Sequence, residues 1–249
     1  ITSISMFYDL PDPSDFVAGI SQILAPEGVW ILEQSYLPLM LERNAFDTIC
    51  HEHLEYYTLS QIERLVKAAN LKIINVELND CNGGSFRVAV AREGSCHIVN
   101  TDNVEKIRKM EASLKLDTDT PFDEFLARIE RNGAKINHFL MNAKNEGKTV
   151  YIYGASTKGN TLLQHYEIGT NKVNSALEVN PEKFGHRTPG TNIPIIDESS
   201  INDSPPDYLL VLPWHFRDNI LKNGRELMEK GAKFVFPLPT LEIVGKEDM

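Results

Sequence analysis

The sequence predicts an α/β protein, built as two successive strand-and-helix regions joined by a helical stretch. Three observations carry this. Short β-rich runs alternate with amphipathic helical stretches at both ends of the chain, the pattern of parallel sheets with helices on their faces. The stretch 104–140 has helix-spaced apolar residues and no strand pattern. No apolar run approaches the roughly 20 residues that span a bilayer.

Ile1 to Tyr8 reads as a strand running into a loop. Asp12-Pro13 opens a helix, Asp as its cap and Pro at its first position; Phe16, Val17, Ile20, Ile23 and Leu24 share one face. Ala25-Pro26-Glu27-Gly28 stops it, and Val29 to Glu33 follows as a buried strand. Thr58 and Gln61 have the spacing of a capping box, ahead of the apolar face Leu59, Ile62, Leu65, Val66 and Ala69. The runs Leu71 to Leu78 and Ser85 to Ala91 flank Asn82-Gly83-Gly84 as antiparallel partners. Helices are expected over Val104 to Leu116 and from Thr120, the second with the stripe Phe122, Phe125, Leu126, Ile129, Ile136, Phe139 and Leu140. Strands follow at Val150 to Tyr153, Ala176 to Val179, Tyr208 to Leu212 and Lys233 to Phe236, with one helix over about Asp218 to Lys230.

Composition narrows the function. The 249 residues carry a formal charge of −10, a field that repels phosphate backbones and anionic lipid and so argues against a nucleic-acid or membrane-surface protein. Three cysteines (Cys50, Cys81, Cys96) without framework spacing read as reduced thiols, hence a cytoplasmic protein, and no C-x-x-C pair announces a structural zinc site.

Three stretches can carry chemistry. Asp47 to Tyr57 (DTICHEHLEYY) crowds two imidazoles, carboxylates, a thiol and two phenols into one segment. A His beside a Glu can act as a general base near neutral pH; the residues alone equally allow a solvated turn. A zinc reading of Cys50, His51 and His53 suffers because adjacent residues do not readily converge on one metal. The second stretch, Gly154 to Asn160 (GASTKGN), is a small-residue turn from strand to helix, suited to close approach by an anion. It matches neither the dinucleotide fingerprint nor the P-loop, since Asn160 stands where Lys should follow the second Gly; a plain tight turn is the alternative. The third comprises the loop Asn180 to Thr191, where Arg187 can clamp a phosphate, and Pro213-Trp214-His215-Phe216 at another strand's carboxyl end, whose aromatics can stack on a base or sugar or simply lid the sheet.

Together these stretches resemble one family. "LAPEGVWILE" and "DTICHEHLEYYTLSQIERLVKAANLKIINVELNDCNGGSFRVAVAR", with "YGASTKGNTLL", "NPEKFGHRTPGTNIPI", "LPWHF" and "FPLP" in order behind them, are similar to the sugar C-methyltransferases that add a branching methyl to nucleotide-linked deoxyketosugars. The resemblance implies that residues 1–100 are the back half of a class I methyltransferase Rossmann-like domain, 101–147 a helical connector, and 148–249 a second Rossmann-like parallel-sheet domain for substrate. It implies S-adenosylmethionine as methyl donor and a nucleotide-diphosphate sugar as partner, with no nucleic acid or membrane. Zinc is expected only in a further N-terminal domain of such proteins. The chain reads as a truncated piece lacking the glycine-rich donor loop. Donor-binding residues therefore cannot be assigned, and the piece alone is expected to be inactive and to bind nucleotide diphosphate better than the donor.

The implied chemistry is proton abstraction beside a ketone, then attack of the enolate on the sulfonium methyl. By the resemblance His53 is the base, Glu52 orients it or the substrate, and Gly83, Gly84, Ser85 and Arg87 lie near the site. Some members carry a catalytic Tyr where this chain has Cys50, so that role is absent or falls to another phenol such as Tyr56. Ser156, Lys158, Asn160 and Arg187 would hold the diphosphate, with Trp214 and His215 lining the pocket. A relative acting on a non-sugar substrate and a non-catalytic nucleotide-sugar binding module are the alternatives.

Overall fold

The computed structural model describes residues 1–248. They divide into two compact units. One holds Ile1–Arg43 and His51–Phe125; the other holds Asn44–Cys50 and the chain from Leu126 onward.

The first unit has a four-stranded sheet. Its elements are β1 (Thr2–Ile4), α1 (Pro13–Ile23), β2 (Val29–Ser35), α2 (Leu37–Glu42), α3 (Leu59–Ala68), β3 (Leu71–Asn79), β4 (Ser85–Arg92) and α4 (Thr101–Leu114). The spatial order is β1-β2-β4-β3. β1 and β2 are parallel, and β4 runs antiparallel between β2 and β3. Asp12 caps α1 by accepting from the Asp15 N–H at 2.9 Å. Val17 and Ile20 of the expected face are buried, whereas Ile23 is 73% exposed. At the start of α3, the Gln61 side chain accepts from the Thr58 N–H at 2.6 Å, the reach-back half of a capping box.

Period-2 alternation places Trp30, Leu32, Gln34 and Tyr36 on one face of β2 and its extension, all of them fully buried. Glu33 faces the other way and pairs with Arg87 of β4 at 2.7 Å. The Glu111 carboxylate of α4 accepts from Tyr36 Oη at 2.6 Å, and from the Leu59 and Ser60 N–H groups at 2.5 and 3.2 Å. A buried carboxyl group thus satisfies orphan donors at the N-terminus of α3 and ties three elements together.

α5 (Thr120–Asn145) begins in the first unit and continues into the second. The second unit then adds β5 (Val150–Tyr153), α6 (Thr157–His165), β6 (Ala176–Glu178), β7 (Ile195–Asp197), β8 (Tyr208–Val211), α7 (Arg217–Asn223), α8 (Arg225–Glu229), β9 (Lys233–Phe236) and β10 (Glu242–Val244). Its six-stranded sheet has the order β10-β9-β8-β5-β6-β7, parallel except for the antiparallel edge strand β10.

The single helix expected over 218–230 is two. Gly224 separates α7 from α8, and a Cβ there would stand 2.3 Å from Phe234 Cζ, so close seating on β9 requires glycine at the break. In α5, Phe125, Ile129, Ile136 and Leu140 of the expected stripe are buried, but Phe122 and Leu126 are exposed. Among the described residues, no helix is long and apolar enough to cross a membrane.

Candidate active site

In the first unit, candidate residues gather at the carboxyl ends of β1 and β2. A 3-10 turn, Phe7–Asp9, follows β1, and the Tyr8 carbonyl accepts from Leu54 and Glu55 N–H at 2.9 and 3.2 Å. The His53 ring packs on Tyr8 at 4.2 Å between centroids. Tyr57 forms a parallel bridge to Tyr36 just beyond β2. The 53–57 segment is therefore laid against the edge where parallel sheets present their ligands.

Tyr56 Oη reaches the His53 carbonyl at 3.5 Å, a long contact. Glu52 turns toward its other neighbour: Oε1 lies 4.0 Å from His51 Nε2, with both side chains largely exposed. Two further polar side chains sit at this edge: Gln34, which the sequence does not single out, and Tyr57, the second phenol of the Asp47–Tyr57 stretch. Gln34 keeps both amide atoms buried without a partner, and so does the Tyr57 hydroxyl. Burial raises the Tyr57 phenol to about 12, with the Glu55 charge adding to it, so the group stays a proton donor at neutral pH.

In the second unit the site forms where the strand order reverses. The chain runs from β5 to β6 and β7 on one side, then returns to build β8 and β9 on the other. The crevice at the carboxyl ends of β5 and β8 is the topological switch point of such a sheet. The turn 154–160 leaves β5 there, and 213–216 leaves β8. The glycines of the turn are taken up by protein contacts. Gly154 (φ +86°) would place a Cβ 2.9 Å from Pro213 Cδ, and Gly159 one 2.5 Å from Leu212 Cδ1. Close approach of the two turns to each other therefore requires these glycines. Ser156 caps α6, its Oγ accepting from the Gly159 N–H at 3.1 Å.

Asn44–Cys50 packs into this unit. Asn44 is anchored through Nδ2 to the Pro239 carbonyl at 2.9 Å and through Oδ1 to Arg128 Nε at 2.9 Å. The 3-10 turn Phe46–Thr48 sets the Phe46 ring against His165 and Tyr166 of the α6 end, at 5.0 and 5.1 Å. This buries Asp47 to 2% exposure. Its Oδ2 accepts from Trp214 Nε1 at 2.9 Å, while Oδ1 has no partner.

Burial drives the Asp47 carboxyl up to about 6, against the pull of the Trp214 bond and of Lys158. Burial likewise lowers the Lys158 ammonium, opposed by the charges of Asp47 and Cys50. His215 is lowered to about 4, by burial first and Lys158 second, and is neutral at working pH. Asn160 adds a second buried oxygen without a partner, Oδ1.

The fold thus brings Lys158, Asn160, Trp214 and His215 to one crevice and adds Asp47 and Cys50. Asp47 lay inside a segment singled out from sequence but had no role there; its place between Phe46 and Thr48-Ile49 was the available sign of a buried carboxylate. Trp214 is 6% exposed with its N–H committed to Asp47, so Phe216, 53% exposed and packed on His215 at 4.3 Å, is the aromatic open to stacking. Arg187 is exposed and donates to the Asn192 carbonyl of its own loop at 2.9 Å. Among the described residues, no group of three or more His, Cys, Asp or Glu is gathered as a metal ion requires.

Residues 80–239 match the family described as "C-methyltransferase C-terminal domain". Residues 1–76 match a methyltransferase domain. C-methyltransferase NovU of Streptomyces niveus is 33% identical over 241 residues, which cover 97% of this chain and 57% of that protein. The chain therefore spans a little over half the length of this relative.

Proposed function

Since the chain belongs to the C-methyltransferase family defined by that C-terminal domain, we propose that the protein bearing it is an S-adenosylmethionine-dependent C-methyltransferase acting beside the ketone of a nucleotide-linked sugar. What supports this reading is the division of chemistry between the two units. An imidazole lies at the ligand edge of one sheet, and a crevice with a lysine lies at the switch point of the other. Methylating a carbon acid tethered to a diphosphate needs both a base and a cation-bearing pocket.

His53 takes the proton from the carbon next to the ketone, leaving the electron pair on the substrate as an enolate. Tyr8 fixes the plane of the imidazole by packing on it. Glu52 and Tyr56 flank the base in the chain; Glu52 contributes negative charge near it and Tyr56 a phenol. Gln34 and Tyr57, with polar atoms buried and unpartnered, fit a polar ligand at the same edge. Bound S-adenosylmethionine supplies a methyl carbon made electrophilic by its sulfonium.

In the second unit Lys158 supplies charge for the diphosphate, Arg187 adds to it from the neighbouring loop, and Asn160 offers a hydrogen-bonding amide. Ser156 holds the turn, while Trp214 and His215 form the wall.

The test is methyl transfer by the full-length protein to a panel of nucleotide-linked ketosugars, with product analysed for a new carbon–carbon bond. His53→Ala should lower kcat about 10²–10⁴-fold. Undiminished transfer by that variant removes His53 from the role of base.

A further inference from the structure

Lys158 does not stand alone in the switch-point crevice. A carboxylate delivered by the Asn44–Cys50 segment shares its environment, and an anionic ligand docking there meets both charges. Asp47 is a buried acid with one oxygen spoken for: Oδ2 accepts from the Trp214 indole, and Oδ1 is buried without a partner. Two negative charges brought together in a poorly solvated crevice cannot both persist cheaply; the carboxyl can lose its charge, whereas a phosphodiester cannot.

From this geometry we propose that Asp47 takes up a proton from solvent when a phosphate-bearing ligand docks beside Lys158. The proton goes to the unpartnered Oδ1, since the indole N–H already occupies Oδ2. The ammonium of Lys158 is then left to the phosphate. Asp47 is a positioning residue: it sets the charge of the crevice and holds the Trp214 wall. The idea rests on the proposed phosphate-linked substrate.

The groups facing Asp47 identify it as the titrating site. From α6 comes Lys158, and from the residue that caps its C-terminus the Tyr166 phenol, which donates to the Ile129 carbonyl at 3.0 Å and is pushed up by burial, well out of the physiological range. From the turn after β8 come Trp214, which does not titrate, and His215, lowered to about 4. From its own segment come the Asp47 and Thr48 backbone N–H groups, which favour the charged carboxylate, and Cys50, whose charge bears on Lys158. Arg128 of α5 is directed to Asn44, and His165 packs on Phe46. The carboxyl is already raised to about 6 without ligand. A nearby phosphate raises it further, and linkage requires the corresponding uptake.

The test is calorimetry on the full-length protein with UDP-glucose and dTDP-glucose, whose phosphates stay ionised, and with uridine and thymidine as uncharged controls. Titrations at pH 6.5 to 7 in buffers of different ionisation enthalpy count the protons exchanged. Wild type should take up a substantial fraction of one proton per nucleotide-sugar bound, and none with the nucleosides. Its Kd should tighten several-fold as pH falls from 7.5 to 5.5. Asp47→Asn keeps an acceptor for Trp214 and should bind with no uptake and a flat Kd across that range. Uptake persisting in that variant places the proton on Lys158 or His215 and overturns the proposal. Binding by wild type without uptake also overturns it, a readout that needs no variant to fold. If neither nucleotide-sugar binds at all, the phosphate-linked substrate itself is wrong, and this proposal fails with it.

Discussion

The indole of Trp214 donates to Asp47 Oδ2 at 2.9 Å, a buried bond between residues 167 positions apart. It joins the turn after β8 to a segment that precedes the whole second sheet in sequence. Removing the donor leaves a second buried oxygen unpartnered, beside the Oδ1 that already is. Trp214→Phe should therefore destabilise the chain by about 1–3 kcal/mol beyond its lost packing. A double-mutant cycle with Asp47→Ala, which removes the acceptor, measures that coupling in thermal or denaturant melts; additive effects would show the bond to be energetically idle.

Asp47 also makes stability pH-dependent. Its folded value, raised from 3.8 to about 6, lies above the unfolded one. Its contribution is fully present below about pH 4 and lost as pH rises through 6, by at most about 3 kcal/mol. His215 acts oppositely: lowered from 6.5 to about 4, it contributes stability above about pH 6.5 that is lost as pH falls through 4. The difference between wild type and Asp47→Asn isolates the carboxyl. Wild type should lose ground to the variant steadily from pH 4 to 7 in denaturant melts, and a constant difference would contradict the burial of a titrating Asp47.

Glycine substitutions separate a required close approach from an incidental one. Gly159→Ala puts a methyl 2.5 Å from Leu212 Cδ1 and 2.8 Å from Leu212 Cβ, and should cost about 1–3 kcal/mol by prying the two crevice turns apart. Gly19→Ala, in the interior of α1 with nothing within 4 Å, should stabilise by up to about 1 kcal/mol. Equal melting shifts would show that the turn is not packed as described.

Glu111 tests the organisation of the first unit. Its carboxylate accepts from Tyr36 and from two N–H groups of α3. Glu111→Ala strands all three donors and should cost about 3 kcal/mol or more. Glu111→Gln retains one acceptor oxygen and should recover part of this, read by hydrogen exchange at Leu59 and Ser60.

Local chemistry was legible where local forces decide. Asp12-Pro13 marked the start of α1, and the β-branched and aromatic run Val150–Tyr153 is β5. The hairpin partners β3 and β4 pair as their alternation implied. Legibility ended where long-range packing chose. The break at Gly224 exists because Phe234 of β9 sits against it. The edge strands β7 and β10, three residues each, have too little pattern to register. The strand-to-helix turn pointed to Lys158 and the aromatic run after β8 to Trp214, whereas Asn160 and His215 entered only through the family resemblance. Asp47 gained its meaning only from Trp214 and Lys158, which no spacing along the chain reveals.

The central claim is base-assisted enolate formation at His53, and hydrogen exchange tests it most directly. The full-length protein is incubated in heavy water with a nucleotide-linked deoxyketosugar, and deuterium is followed at the carbon beside the ketone. Wild type should exchange that hydrogen, and His53→Ala should slow the exchange about 10²-fold or more while still binding the nucleotide-sugar by calorimetry. Exchange at the wild-type rate in His53→Ala would contradict the account.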